Sequence, residues 1–476
     1  MTSIYLVLAI YMCILFGIGV YCTKKNQNVT DFLLAGRSLG VVAATLTITA
    51  SLFGGGLLTG TAQYAYESGP MMYVYGGTQG IGLFLAALLV HKMANFSNYG
   101  TVTEYLEWRF NSKFLRTAAS FLSMIALIGI LGGQVSAVVG IMNALGFTNT
   151  MFCTLLAMAV IIALTAMGGL MAVTMTDCFQ IILVIIGVIW IFFTALGNHG
   201  GFDGINASLA EMASTLPEGF NVFMNGSKAT TLAWMILPGI MYVIIGQDIY
   251  QRLFACKDGK TAVKASLASG ALVMVISMMP VTLGLMARID FPELAANGTT
   301  ASAFATLAMA TLPSWGVGII MAAALSAILS TADSLLSAAS SHFMNDFWMC
   351  YIAKDADPND KKLLWVSRIF TVVAGVAAVV ISLMIPSILD ACFYSYYIYT
   401  GGVFAPIVFG VFWKKTAKEG AIAGLLFGAM FVVLSLTGIV NMGGIPGELF
   451  SGVVSAIVLV IVSLATANRH KDTAAS

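Results

Sequence analysis

The sequence predicts an all-α integral membrane protein, a single transmembrane domain of about thirteen helices over residues 1–476, on three observations. Of its 476 residues, 59% are hydrophobic and only 9% are charged, against roughly a quarter charged in an average soluble domain. A water-soluble fold of this composition would lack the polar surface to cover itself. Apolar stretches of about 20 residues, the length that crosses a bilayer as a helix, recur from one end of the chain to the other. Lys and Arg gather in alternate connections between those stretches, as residues held on one side of a membrane do. The lipid bilayer is therefore one partner. A net charge of +1 argues against nucleic acid, the short connections leave no room for a separate soluble domain, and the sequence sets no oligomeric state.

Taken in order, apolar runs and polar breaks place spans near 4–23, 40–64, 71–91, 117–144, 149–168, 172–197, 229–251, 264–287, 314–343, 366–385, 388–412, 420–439 and 447–466. The run Ile4–Val20 is followed by no small-residue cleavage site and is expected to stay as a helix. With the N-terminus outside, all of the 22 Lys and Arg residues except Lys228 and Arg288 fall on the cytoplasmic side. That alternation puts Arg252 at the inner end of the seventh span and the C-terminus in the cytoplasm of a multi-pass protein of the plasma (inner) membrane. Thr101–Asn111, TVTEYLEWRFN, carries Glu104, Glu107 and Arg109 on an otherwise aromatic helix and reads as an interfacial helix on the inner face. The 7 cysteines form no CxxC pair and read as small apolar residues.

Two spans are unsuited to being ordinary membrane helices. The second, LGVVAATLTITASLFGGGLLTGTAQYA, sets Gly54, Gly55 and Gly56 at mid-membrane, and each glycine weakens a helix by roughly 1 kcal/mol relative to Ala. Either the helix breaks there, freeing backbone groups to line a site, or small residues let helices pack closely. In the ninth, Ser326, Ser330, Thr331, Ser334 and Ser337 recur every three or four residues and line hydroxyls along one face. Such oxygens suit a hard cation or serve as interhelical hydrogen bonds. Asp333 in that span and Asp177 in the sixth are carboxylates at membrane depth, where such residues mark ion or proton pathways. No Lys or Arg is expected deep in a helix to neutralise them, so the pair points to bound cations. For Asp177 a solvated position near the inner surface is the alternative, and Asp248 and Asp390 sit where helix ends are expected. Gln79 and Gln134 either hold a polar ligand or pair with neighbouring helices.

At this point the sequence resembles the sodium:solute symporter family. The resemblance rests on GRSLG at Gly36–Gly40, GGLMAVTMTDCFQ at Gly168–Gln180, GQDIYQRLFA at Gly246–Ala255 and ILSTADSLLSAAS at Ile328–Ser340, from about Thr30 to Trp413. It implies a five-plus-five inverted-repeat fold: an extra N-terminal helix at 4–23, repeats over 40–197 and 229–412, and two C-terminal helices over 420–466. It also implies a coupling Na+ on the carbonyls of Ala50, Phe53 and Ala327 and the hydroxyls of Ser330 and Thr331. A second sodium would fall on Asp177, Asp333 and Ser334. The motifs are most similar to the choline-transporter-like branch, yet Leu52, Gly133 and Gly246 stand where that branch has tryptophans. The aromatic cage is missing, which points to a smaller or more polar solute.

The resulting expectation is sodium-coupled import of a small polar organic solute by alternating access. The solute would sit near Gly54, Gly55, Gly56, Tyr75, Gln79, Gln134 and Tyr396. A proton-coupled carrier titrating Asp177 or Asp333 is the alternative. An enzyme, which would need a nucleophile, metal or acid pair at mid-membrane, is not expected: His91, His199, His342 and His470 all fall at helix ends or in connections.

Overall fold

The protein is described by a computed structural model over residues 2–23, 34–93, 96–221, 226–354, 361–385, 387–440 and 445–467. Among these residues ten helices are long and apolar enough to cross a membrane, and the bent pair Val41–Leu52 and Gly56–Ser68 adds an eleventh. The first and fifth expected spans are the shorter apolar stretches Thr2–Ile18 and Thr150–Thr165. The backbone is helical throughout Thr150–Asn198, across the point where the sequence places a short connection; the side chains at 166–169, 171 and 172 lie outside the described residues. So does Pro386, the expected break before the eleventh span, which resumes as Ile388–Phe412.

Two helices are interrupted, and they come together. The second span bends by 53° between Val41–Leu52 and Gly56–Ser68. The seventh is Gly226–Ile245 followed by Gln247–Phe254, parted at Gly246, whose ψ of 129° is extended. The segments meet again at one end, where the Leu39 amide donates to the Ala255 carbonyl at 3.0 Å and the Lys257 amide to the Leu39 carbonyl at 3.1 Å. Backbone that leaves the helix at membrane depth is tolerated only where protein or a cavity satisfies it, so the two breaks mark the centre of the molecule. The ninth span, Ser314–His342, runs past both of them, packing on the fourth, sixth and second spans. It continues in wider π-type turns over Phe343–Ile352.

The Thr101–Asn111 segment forms a short helix, Val102–Phe110, docked against the bundle with Val102, Thr103, Tyr105, Leu106 and Phe110 buried. Arg116, at the start of the fourth span, fastens it. Its guanidinium donates to Glu104 and Glu107 at 2.8 Å each and to Asp346 at 2.5 Å. Asp346 is fully buried and also accepts from Thr101, Thr103 and Ser120, with the His342 ring 2.7 Å away.

Candidate sodium and solute site

At the break in the second span, helical geometry ends at Phe53 (φ −84°, ψ 55°), whose amide still donates to the Thr49 carbonyl at 2.9 Å. The turns then widen over Gly56–Gly60. Both readings of the glycine run hold at once. A Cβ on Gly54 would overlap the Thr331 side chain, and one on Gly55 would press on Ala137 and Gln134. The freed Gly55 amide is satisfied by Gln134 Oε1 at 2.8 Å. Only glycine lets the chain turn this close to the fourth and ninth helices.

That approach assembles a cluster of oxygens. The Ala50 carbonyl accepts from both the Ser330 and Thr331 hydroxyls at 3.1 Å, and Ser330 Oγ lies 2.9 Å from the Ala327 carbonyl. Phe53, at the break itself, is fully buried. Carbonyls and hydroxyls with no nitrogen or sulfur among them form the donor set that a hard cation prefers. The hydroxyl protons need only rotate away for the oxygens to face an ion.

One helical turn further along, the structure corrects the sequence reading. Arg252, expected at the membrane edge, is fully buried, and its guanidinium pairs with Asp177 at 3.1 Å. It also donates to Thr47 at 2.8 Å, to the Asp248 carbonyl at 2.9 Å and to Ser334. Asp177 is therefore neither solvated nor without a cation. Its Oδ2 accepts from Thr47 at 2.5 Å while Oδ1 has no hydrogen-bond partner among the described residues. The chain enters here because Gln247–Phe254 continues inward after Gly246, with every residue from Gln247 to Phe254 buried. Asp333 is buried too, accepts from Thr165 at 2.6 Å, and makes no ion pair among the described residues.

Between the two breaks lies a central cavity of about 30 Å³. Of the expected solute residues, Gly56, Tyr75, Gln79, Gln134 and Tyr396 line it; Gly54 and Gly55 do not, being pressed into the neighbouring helices. Gln79 Nε2 is buried with no hydrogen-bond partner among the described residues. Among the other lining residues, Ser51, Tyr242 and Asp248 are polar side chains that the sequence reading did not single out as solute contacts. Ser51 could have been found one turn from Thr47 on the face that meets the ninth span, and Tyr242 one turn before the glycine that breaks the seventh. Asp248 is 2% exposed and accepts from Tyr242 at 2.8 Å, so it is no solvated helix end. Asp390 is half-buried and accepts from Tyr64, away from this cavity.

Known proteins are similar to this chain in sequence and in fold. The family model described as the Sodium:solute symporter family matches residues 32–428. The sodium/glucose cotransporter of Vibrio parahaemolyticus is 26% identical, over 98% of this chain and 91% of that protein. The sodium/proline symporter of Haemophilus influenzae is 27% identical over 89% and 86%, and the sodium/pantothenate symporter of Escherichia coli is 25% identical over 98% and 96%. Among solved structures, the substrate-bound outward-open state of a Na+-coupled sialic acid symporter superposes with a TM-score of 0.78 at 20% identity, covering 98% of each chain. Mhp1, a nucleobase-cation-symport-1 family transporter, superposes at 0.59 with 14% identity, over 92% of this chain and 94% of that one. The fold is thus that of these helical transporters. With the family model covering most of its length, the chain belongs to the sodium:solute symporter family and is a sodium-coupled symporter of small organic solutes.

Proposed function

We propose that this protein imports a small polar solute across the plasma membrane, N-terminus outside and C-terminus in the cytoplasm, with sodium held by Ala50, Phe53, Ala327, Ser330 and Thr331. The observation that carries this reading is the Ala50 carbonyl gripped by two hydroxyls of the ninth span where the second span breaks. An ion there ties the second span to the ninth, so its binding selects one arrangement of the two and favours the form in which the cavity faces outward. Solute binding beside Gly56, Tyr75, Gln79, Gln134 and Tyr396 completes the closed form, and its opening inward releases both. Each sodium contributes ~2.3 kcal/mol per 100 mV of membrane potential. We assign one sodium per cycle. A second on Asp177, Asp333 and Ser334 would have to take two of those residues from the Arg252 guanidinium.

The test is the sodium concentration that half-saturates thermal stabilisation of the purified protein. Ser330→Ala and Thr331→Ala should each raise it about tenfold or more, the loss expected when a ligand to a charged group is removed. Unchanged sodium dependence in both variants would sink the ligand assignment.

A further inference from the structure

The central cavity contains a charge that the sodium reading does not use. Asp248 lines it, is all but fully buried, and makes no ion pair among the described residues. Among the described residues, the one hydrogen bond it accepts from another side chain is from the Tyr242 hydroxyl at 2.8 Å. The nearest cation in the chain, Arg252, is one turn along the same helix, but it is turned elsewhere: it donates to the backbone carbonyl of Asp248 and spends its other nitrogens on Thr47, Asp177 and Ser334. Asp248 stands in the first turn of Gln247–Phe254, and the dipole of that helix end offers partial relief. It does not neutralise a whole carboxylate at membrane depth, where an uncompensated charge is costly.

The surroundings say what does. The Tyr242 and Tyr396 rings lie 4.6 Å apart and tilted by 32°, and both line the cavity with Tyr75. Aromatic faces gathered around a carboxylate attract cations, since the ring face carries negative density. Gly246 belongs to this arrangement: a Cβ there would meet the Asp248 carboxylate at 2.9 Å and the Tyr242 ring at 3.0 Å. The glycine that breaks the seventh span therefore makes room for the acid and the tyrosine together. Gln79 Nε2, buried without a partner among the described residues, supplies a donor for an oxygen on the same ligand.

We propose that the transported solute is a small organic amine, whose ammonium group pairs with Asp248 between Tyr75, Tyr242 and Tyr396 and whose oxygen accepts from Gln79. This deepens the sodium-symport reading and rests on it for the solute's position. The buried charges then compensate: Arg252 matches Asp177, the sodium lies beside the Asp333 helix, and the solute brings the cation for Asp248. A neutral sugar or an anionic acid would leave Asp248 bare.

The experiment is a melting-temperature screen of the full-length protein in sodium chloride and in potassium chloride with matched probes: ethanolamine against ethylene glycol, and glycine amide against glycolate. Amine probes should raise the melting temperature in sodium, and their neutral or anionic partners should not. Asp248→Asn should weaken the amine response at least tenfold and, by removing an unpaired buried charge, melt above the parent when no solute is present. An equal response to the uncharged partners would overturn the proposal, as would an amine response that survives Asp248→Asn. With a silent panel the variant decides alone, because melting at or below the parent would make Asp248 a structural acid. Failure of sodium to stabilise the parent at all is a different result and refutes the symport reading instead.

Discussion

Replacing Arg252 with methionine removes one partner of a fully buried ion pair. Both side chains have no exposure, and the guanidinium holds Asp177, Thr47, Ser334 and the Asp248 carbonyl within one turn of the proposed sodium ligands. Breaking such a pair from one side leaves an uncompensated charge and costs about 3–5 kcal/mol. Removing both charges at once leaves no such charge, and well-packed neutral replacements of buried pairs are often nearly neutral. Arg252→Met should therefore lose about 3–5 kcal/mol in chemical denaturation of the purified protein. Arg252→Met with Asp177→Asn should recover more than half of that, with the Thr47 hydroxyl still bonded at 177. A coupling energy between the two positions, read from the double-mutant cycle, is the quantity that matters. An Arg252→Met variant within about 1 kcal/mol of the parent, or a double variant as unstable as the sum of the singles, would refute the ion pair as the feature that holds this region.

Other substitutions test the surrounding geometry. Gly54→Ala forces a methyl into the Thr331 side chain, so it should cost about 1–3 kcal/mol and blunt sodium-dependent stabilisation. Gly56→Ala, whose added Cβ would meet nothing nearer than 3.6 Å, should leave both within error of the parent in the same melts. Beside the docked Val102–Phe110 helix, Asp346→Ala deprives the Arg116, Thr101, Thr103 and His342 groups of their acceptor and should lose at least about 3 kcal/mol. Glu107→Ala, which removes a half-exposed partner of the same arginine, should lose less than about 1 kcal/mol. Equal losses from those two would contradict the ranking of buried over exposed partners.

How much of this was legible in the sequence depends on what hydropathy records. The Gly54–Gly56 run and the hydroxyls at 330 and 331 stand out against apolar spans, because a glycine triplet weakens a helix and a three-to-four spacing fixes a face. The proposed sodium position rests on those two features and the family motifs, and the structure brings Ala50, Ala327, Ser330 and Thr331 together there. Arg252 was misplaced for the opposite reason. GQDIYQR is polar enough to read as a helix end, and nothing local shows that a single glycine turns the chain so that Gln247–Phe254 continues into the bundle. Asp248 was undervalued with it. Tyr242 left no mark at all, since a tyrosine in an apolar span reads like any other aromatic residue until a neighbouring carboxylate accepts its hydroxyl. The docked Val102–Phe110 helix was visible, whereas its anchor, Asp346, lies some 240 residues away in sequence and only folding brings it there.

The most direct test of the central claim compares melting of the purified protein in sodium and in potassium chloride at equal ionic strength, since a ligand bound only by the folded state raises its stability by mass action. Sodium should stabilise in a saturable manner and potassium should not, with Ser330→Ala and Thr331→Ala shifting the saturation to higher sodium. Indistinguishable salts, together with a transition that moves with pH, would contradict sodium coupling and transfer the coupling role to a proton on Asp333.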